Sequence, residues 1–470
     1  MQEHVMAGEF PGPKTRASLS RGTPLFANGL TFDQKFSQAK QKGRREVRQI
    51  VIDRAQGDFV WDLDGKQYID FQNGWATNPL GNAHPEIIEA VHAAHQCYGF
   101  HYDHPLRYDL AERLASIMPN GQLPRFNFEV SGTEAAEAAV YAALTHTKRR
   151  FIIAFSSCYH GESIGGKVIS AYDGKKSKYL EAFTGGVIKA PYPYSDDLPP
   201  GMCQEQYVDY CLWYLENHIP NAIASADNIA AILIEPGLAE GGNWIPTQGF
   251  VRGIRDICNR NDWLMIADEV LTGLGRTGKM WGVEHYDLVP DILVVGKNLS
   301  GGIEPCAGIA TRDDILGDAN EFSSGSTFAG TPAGCAAGLK TLELYERENL
   351  VQRAAHLGEL AAATMAAWEE TPIVSEVRSS GLLIGVGFTS PDAAFENWHL
   401  AREVRGRMLE NGVWAICDRE ETVRLYPALN MDEKTLIEGL EVMKDAIDQV
   451  AAHGPTEVDS PAWPTGVAGF

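Results

Sequence analysis

The stretch DILVVGKNLSGG, Asp291 to Gly302, sets four apolar residues, Ile292 to Val295, in a run of strand length and places Lys297 two positions beyond the last of them. Lysine is rarely fully buried, because its ammonium loses strong hydration on leaving water. A lysine at the mouth of a buried strand therefore needs a reason that the rest of the chain must supply. Working outward, the same design recurs: FNFEV before EAAEAAVYAAL, then RFIIAF, IAAILIEP, and FVRGIRDICNRN before WLMIADEV. Short apolar runs alternating with amphipathic helices predict an α/β fold with a mostly parallel sheet sandwiched by helices. Ligands of such sheets sit outside the carboxyl ends of the strands.

On either side of this region the pattern changes. FVWDLDGKQYIDFQNG holds two short alternating runs about an Asp-Gly turn at Asp64 and Gly65, a hairpin signal. Beyond residue 335 come an Ala/Leu-rich helical stretch, the strand pair LLIGVGF and TVRLYPAL, and further helices, which predict a smaller α+β domain joined by the N-terminal hairpin. The expected division is a flexible arm over 1–28, the N-terminal part of the small domain over 29–75, a large domain over 76–335, the rest of the small domain over 336–453 and a tail over 454–470.

At 470 residues, with 44% hydrophobic content, the chain is long enough for a deep core. The net charge of −22 argues against a nucleic-acid partner or an anionic membrane surface, either of which favours a clustered basic face. Cysteines at 97, 158, 203, 211, 258, 306, 335 and 417 form no CxxC pair and no cluster at zinc spacing, and are expected to be reduced core or pocket thiols with no metal site. The N-terminus lacks an apolar signal region, and no apolar run approaches bilayer length, so a cytoplasmic location is expected.

Four strand exits carry residues whose chemistry fits together. In FEVSGTEAAEAAV, Ser131 and Glu134 have capping-box spacing, and Gly132 and Thr133 open a helix whose free N–H groups suit a phosphate; an ordinary capped helix has the same pattern. In FIIAFSSCYHGES, Tyr159 can stack on a flat ligand, with His160 beside it and Gly161 giving the turn room; a tyrosine packing at the sheet edge is the plainer alternative. In WLMIADEVLTGLGRTG, Asp268 ends an apolar strand, where a carboxylate is costly unless paired with a cation such as a protonated pyridine nitrogen, or spent as a cap. Lys297 completes the set. A desolvated lysine has a lowered pKa, and its neutral amine can form a Schiff base with an aldehyde. An isolated lysine would simply snorkel to solvent. Phosphate cradle, stacking aromatic, carboxylate for a ring nitrogen and amine for an aldehyde are together the contacts that pyridoxal 5′-phosphate requires. Lys297 then has its reason: it serves as nucleophile and, once released by substrate, as general base.

The segments SGTEAAEAA, YHGES, IEPGLAEGG, ADEVLTGLGRTG, GKNLSGG and STFAGTPAGCAA together resemble the class III pyridoxal-phosphate aminotransferases, the group of ω-amino acid, 4-aminobutyrate and ornithine transaminases, over roughly residues 45 to 450. The resemblance implies a fold type I homodimer with the active site at the subunit boundary. By position it implies that Gly132 and Thr133 hold phosphate, Tyr159 stacks on the ring, Val270 packs on the opposite face, and Glu235 in IEP supports the cofactor. It further implies that Thr327 in STFAGTP reaches the phosphate of the neighbouring subunit. Arg424 in TVRLYPAL matches the arginine that binds a substrate carboxylate, and Glu240 in LAEGG the glutamate that pairs with it when no carboxylate is present. Trp75 in FQNGWATN falls among substrate-lining positions. Leu271 stands where a glutamine is frequent, and Glu304 where an apolar residue is usual. The implied activity is a ping-pong transfer of an amino group from a primary amine or amino acid to 2-oxoglutarate or pyruvate. A racemase, epimerase or aminomutase on the same cofactor is the nearest alternative, and a non-catalytic binding protein of the same fold the more distant one.

Overall fold

The computed structural model describes residues 10–22, 50–97, 103–171, 180, 183, 185–194, 198–316, 322–391, 397–417 and 421–455. Strands β1 (Ile52–Gln56), β2 (Phe59–Asp62) and β3 (Gln67–Asp70) form an antiparallel meander. Asp64 and Gly65 turn between β2 and β3, with Gly65 at φ 88, where only glycine sits without strain. The carboxylate of Asp62 accepts from the N–H groups of Asp64 (3.0 Å) and Lys66 (2.9 Å) and closes the turn. Within the segment expected to be an arm, Pro13–Gly22 is a helix whose first N–H groups, of Lys14 and Thr15, bond the Asp64 carboxylate at 2.8 and 2.9 Å.

The central sheet has seven strands: β4 (Arg125–Glu129), β5 (Phe151–Phe155), β6 (Val187–Ala190), β7 (Ile229–Ile234), β8 (Leu264–Asp268), β9 (Ile292–Val295) and β10 (Ala307–Thr311), in the spatial order β4-β10-β9-β8-β7-β5-β6. All neighbours are parallel except β10, which runs against both β9 and β4. Two reversals restore the direction, so β4 points the same way as β5, β7, β8 and β9 and their carboxyl ends share one edge. Every residue of β7 to β10 is buried. The pleat explains why: Leu293 and Val295 enter one core while Ile292 and Val294 enter another on the opposite face. The second face is covered by the helix Gly132–Thr147, whose buried alanines at 135, 136, 138, 139, 142 and 143 let it approach the sheet closely.

The helix Pro332–Arg347 leads from this layer into the C-terminal region and passes through residues 335 and 336. There β11 (Val374–Ser380), β12 (Leu383–Phe388) and β14 (Thr422–Leu425) form an antiparallel sheet in which Gly385 faces Arg424, while β13 (Val413–Trp414) leaves it to pair in parallel with β3, Val413 opposite Ile69. The two ends of the chain thus share a sheet. Arg276, fully buried, ties the loop after β8 to this region through the carbonyls of Pro427 (2.5 Å) and Leu382 (3.4 Å). Six cysteines are buried as expected, but Cys97 and Cys203 are exposed; the first ends the helix Pro85–Cys97 and the second caps the helix Gln204–Trp213, so neither reaches a core. Among the described residues no helix is long and apolar enough to cross a membrane.

Candidate active site

The exits of β4, β8 and β9 meet. A Cβ added to Gly132 would lie 2.9 Å from Val270 Cγ1, and one added to Gly296 would lie 3.5 Å from the same methyl and 3.7 Å from the Gly132 Cα. Only the missing side chains let the three loops close on one another. Gly296 leaves β9 fully extended, and Lys297 then takes φ 42, which turns its half-buried side chain out of the strand direction. Burial lowers the Lys297 pKa; Glu240, Asp268 and Glu235 act against that and Arg424 adds to it, and the lowering prevails. The lowering favours the neutral, nucleophilic form of the amine more than in an exposed lysine.

Asp268 ends β8 almost fully buried. One carboxylate oxygen accepts from the Val270 N–H at 3.1 Å and the other lies 2.7 Å from His160 Nδ1. Burial opposes charge on His160, but Cys158 and Asp268 outweigh it and hold its pKa at about 10. His160 is thus an imidazolium 2.7 Å from one Asp268 oxygen, and the Val270 N–H holds the other. Glu235, at the end of β7, accepts from the N–H groups of Tyr159 (2.7 Å) and Ala239 (3.1 Å). Burial pushes its pKa up to about 7, with His160 pulling down and Asp268 pushing up. Its role in the geometry is to pin the loop that carries the half-buried Tyr159.

Ser131 caps the helix Gly132–Thr147, and the reciprocal bonds with Glu134 form the box expected from the spacing (3.4 and 3.2 Å). The cap satisfies the Glu134 N–H, while those of Gly132 and Thr133 have no acceptor within the helix. The Thr133 hydroxyl lies 2.7 Å from Ser163 Oγ, which in turn donates to Glu137 at 2.7 Å. Gly161, at φ +118, makes room for it: a Cβ there would fall 2.0 Å from Thr133 Oγ1.

Arg424 is buried at the end of β14. Its Nη1 donates to the Ala239 carbonyl (3.0 Å), to Glu240 Oε1 (3.2 Å) and to the Tyr426 hydroxyl (3.3 Å), and Nη2 to Glu240 Oε2 (3.4 Å). Trp75 stands on a left-handed turn in which Asn73, Gly74, Trp75 and Ala76 have φ of 51, 61, 58 and 63. It packs against a small cluster of Ala76, Ala239, Leu271, Leu383, Ile416 and Tyr426, beside Arg424. Thr327 is exposed on a loop that Ser324 ties to the buried Glu129 at 2.6 Å, and Glu304 is half-buried. Ser163, Asn243 and Tyr426 carry no signal in the sequence, because their importance lies in contacts across 30 to 183 residues. Glu269 is another omission: it accepts from the N–H groups of Gly282 and Val283 and fixes the loop that follows β8.

These groups fit pyridoxal 5′-phosphate. A helix start whose first two N–H groups have no acceptor within the helix suits the phosphate, the buried Asp268 carboxylate suits a protonated ring nitrogen, and the Lys297 amine suits the aldehyde. The absence of a side chain at Gly132 leaves the cradle open.

Residues 41–447 match the family described as Aminotransferase class-III. The 4-aminobutyrate aminotransferase GabT of Escherichia coli (strain K12) is 31% identical over 428 residues, covering 88% of this chain and 97% of that protein. The leucine/methionine racemase of Thermococcus litoralis is 30% identical, covering 85% and 91%. An amine transaminase from an uncultivated Pseudomonas species, solved in its PLP-bound form, superposes with a TM-score of 0.78 at 25% identity over 86% of this chain and 95% of that one. The strand exits, the buried Asp268 and the desolvated Lys297 therefore sit in a fold type I framework whose members share one cofactor, and the chain belongs to the class-III aminotransferases, enzymes dependent on pyridoxal 5′-phosphate.

Proposed function

We propose that this aminotransferase moves an amino group from an ω-amino acid or related primary amine to 2-oxoglutarate, and that it does so as a cytoplasmic homodimer. The observation that carries the choice of acceptor is the Glu240–Arg424 pair. A pocket that must take a carboxylate in one half-reaction and none in the other leaves a buried arginine unpaired half the time, which is costly. A glutamate that swings in and out removes that cost. The family resemblance ties such a glutamate to members that use 2-oxoglutarate, which favours that acceptor over pyruvate.

When bound, pyridoxal 5′-phosphate supplies an aldehyde that accepts the amino group and a protonated ring that withdraws electrons from the substrate carbon. The chain's residues do the rest. Lys297 would hold the aldehyde carbon, and its Nζ, once free, would take the proton from the substrate carbon that bears the amine. Asp268, fixed by His160, would hold the ring nitrogen's proton. Ser131, Gly132 and Thr133 would hold the phosphate and Tyr159 and Val270 the ring, while Glu235 fixes the Tyr159 loop. Thr327, exposed on its loop, reaches the phosphate bound by a second copy of the chain. Trp75 lines the substrate side, with Leu271 in the cluster it packs against.

Reduction with borohydride, followed by peptide mapping, is expected to fix a pyridoxyl group on Lys297, and Lys297→Ala to remove both the label and transamination. A panel of amines against pyruvate and 2-oxoglutarate, read from the cofactor's colour, identifies donor and acceptor. Sustained inversion of an amino acid in deuterated water without amination of the cofactor would replace this reading with racemisation, the activity named for the Thermococcus relative.

A further inference from the structure

The Glu240–Arg424 pair has a second, neutral layer behind it. Tyr426, two residues beyond Arg424, is 2% exposed, and its hydroxyl donates to Asn243 Oδ1 at 2.7 Å. Its proton is thereby committed, and the oxygen's lone pairs are left to accept from Arg424 Nη1. Asn243, fully buried, donates through Nδ2 to the Ile384 carbonyl at 2.7 Å, so its amide is anchored on β12 and its oxygen faces the tyrosine. The backbone at Asn243 has φ 56, a left-handed value that asparagine tolerates better than most residues. The tyrosine's own N–H bonds the Phe71 carbonyl at 2.7 Å, fixing it from the other side.

The two layers differ in kind. The Glu240 contacts, at 3.2 and 3.4 Å, are long for bonds between a guanidinium and a carboxylate, which settle near 2.7–2.9 Å when tight, and Glu240 keeps some solvent access. The Ala239 carbonyl and the Tyr426 oxygen are buried and have no route out.

We propose that Asn243 and Tyr426 are positioning residues for substrate recognition: they hold the Arg424 guanidinium from the neutral side, so that when Glu240 leaves, the charge stays aimed at the incoming carboxylate. This rests on the reading of Arg424 as the carboxylate-binding group. Asn243 acts through the tyrosine, by turning its oxygen rather than its proton toward the arginine.

The test measures KM and kcat for 2-oxoglutarate, or for pyruvate should that prove the acceptor, together with cofactor affinity and melting temperature, in Arg424→Met, Tyr426→Phe and Asn243→Gly. Glycine at 243 keeps the left-handed backbone unstrained while deleting the acceptor. Tyr426→Phe is expected to raise KM roughly tenfold, the loss of one hydrogen bond to a charged group, with kcat changing less than threefold and cofactor affinity within twofold. Asn243→Gly moves KM in the same direction and carries the test should the tyrosine variant not fold. If Arg424→Met raises KM and the other two variants leave it unchanged, the inference is overturned and the role of Arg424 stands. If KM, cofactor affinity and melting temperature all shift together in both, the pair is only structural and the inference is overturned as well. If Arg424→Met itself leaves KM unchanged, the reading of Arg424 falls and this inference with it.

Discussion

Replacing Glu240 by glutamine keeps the shape of the side chain and removes its charge from Arg424. At 3.2 Å and an effective dielectric constant of about 20, the attraction between the two is on the order of 5 kcal/mol. Most of that is cancelled by the desolvation of two nearly buried ions, and the long 3.2 and 3.4 Å contacts place the net coupling at the low end for a buried pair, roughly 1–2 kcal/mol. A carboxylate substrate must break this coupling before it binds Arg424. Glu240→Gln is therefore expected to lower KM for 2-oxoglutarate about five- to thirtyfold. The half-reaction of a donor that has no carboxylate for Arg424 should move the other way, since the guanidinium is then left without its counter-ion. Stopped-flow measurement of each half-reaction, following cofactor absorbance, separates the two. An unchanged or raised KM for 2-oxoglutarate, alongside a large increase in Arg424→Met, would show that Glu240 does not compete with substrate.

Burial raises the pKa values of both Glu235 and Glu269 to about 7, so their contribution to stability is fully present below their ordinary carboxylate range and is lost as pH rises through 7. The cofactor-free protein should melt at progressively lower temperature between pH 5 and pH 8, and Glu235→Gln should flatten that slope in calorimetry. Gly161→Ala sets a methyl 2.0 Å from Thr133 Oγ1 at a φ of +118, and should weaken cofactor binding at least tenfold by equilibrium dialysis. Gly132→Ala meets Val270 Cγ1 at 2.9 Å, and the second change Val270→Ala should recover part of the lost cofactor affinity; independent, additive losses would mean that the two side chains do not collide. In the native protein a thiol reagent should react quickly at Cys97 and Cys203 and reach the six buried cysteines only on unfolding.

The parallel sheet is legible because its strands are apolar on both faces: Ile292 and Val294 serve one core, Leu293 and Val295 the other, and no polar residue interrupts the run. The cofactor contacts are legible for a related reason. A capping box, an aspartate closing an apolar strand and a lysine two residues past another are each locally odd, and the fold's handedness brings their strand ends to one edge. Periodicity does not carry direction, so CAGIAT gives no sign that β10 runs against its neighbours. Nor does it carry contacts across the chain. The approach of Glu240 to Arg424, 184 residues apart, is implied by family likeness alone, and the Tyr426–Asn243 bond by nothing in either segment. Pro13–Gly22 escapes for a different reason: it has a weak apolar face, and its anchor is the distant carboxylate of Asp64.

The left-handed turn from Asn73 to Ala76 has an evolutionary corollary. Each L-residue held there forgoes on the order of 1–2 kcal/mol relative to the right-handed form, and a β-branched side chain would forgo more. Of the replacements that shrink the indole at position 75, glycine alone relaxes the main chain while it opens space, and in the genetic code tryptophan's single codon lies one base from a glycine codon. Glycine at position 75 is thus a single point mutation away, whereas valine or isoleucine at the same place would shrink the side chain only against the backbone.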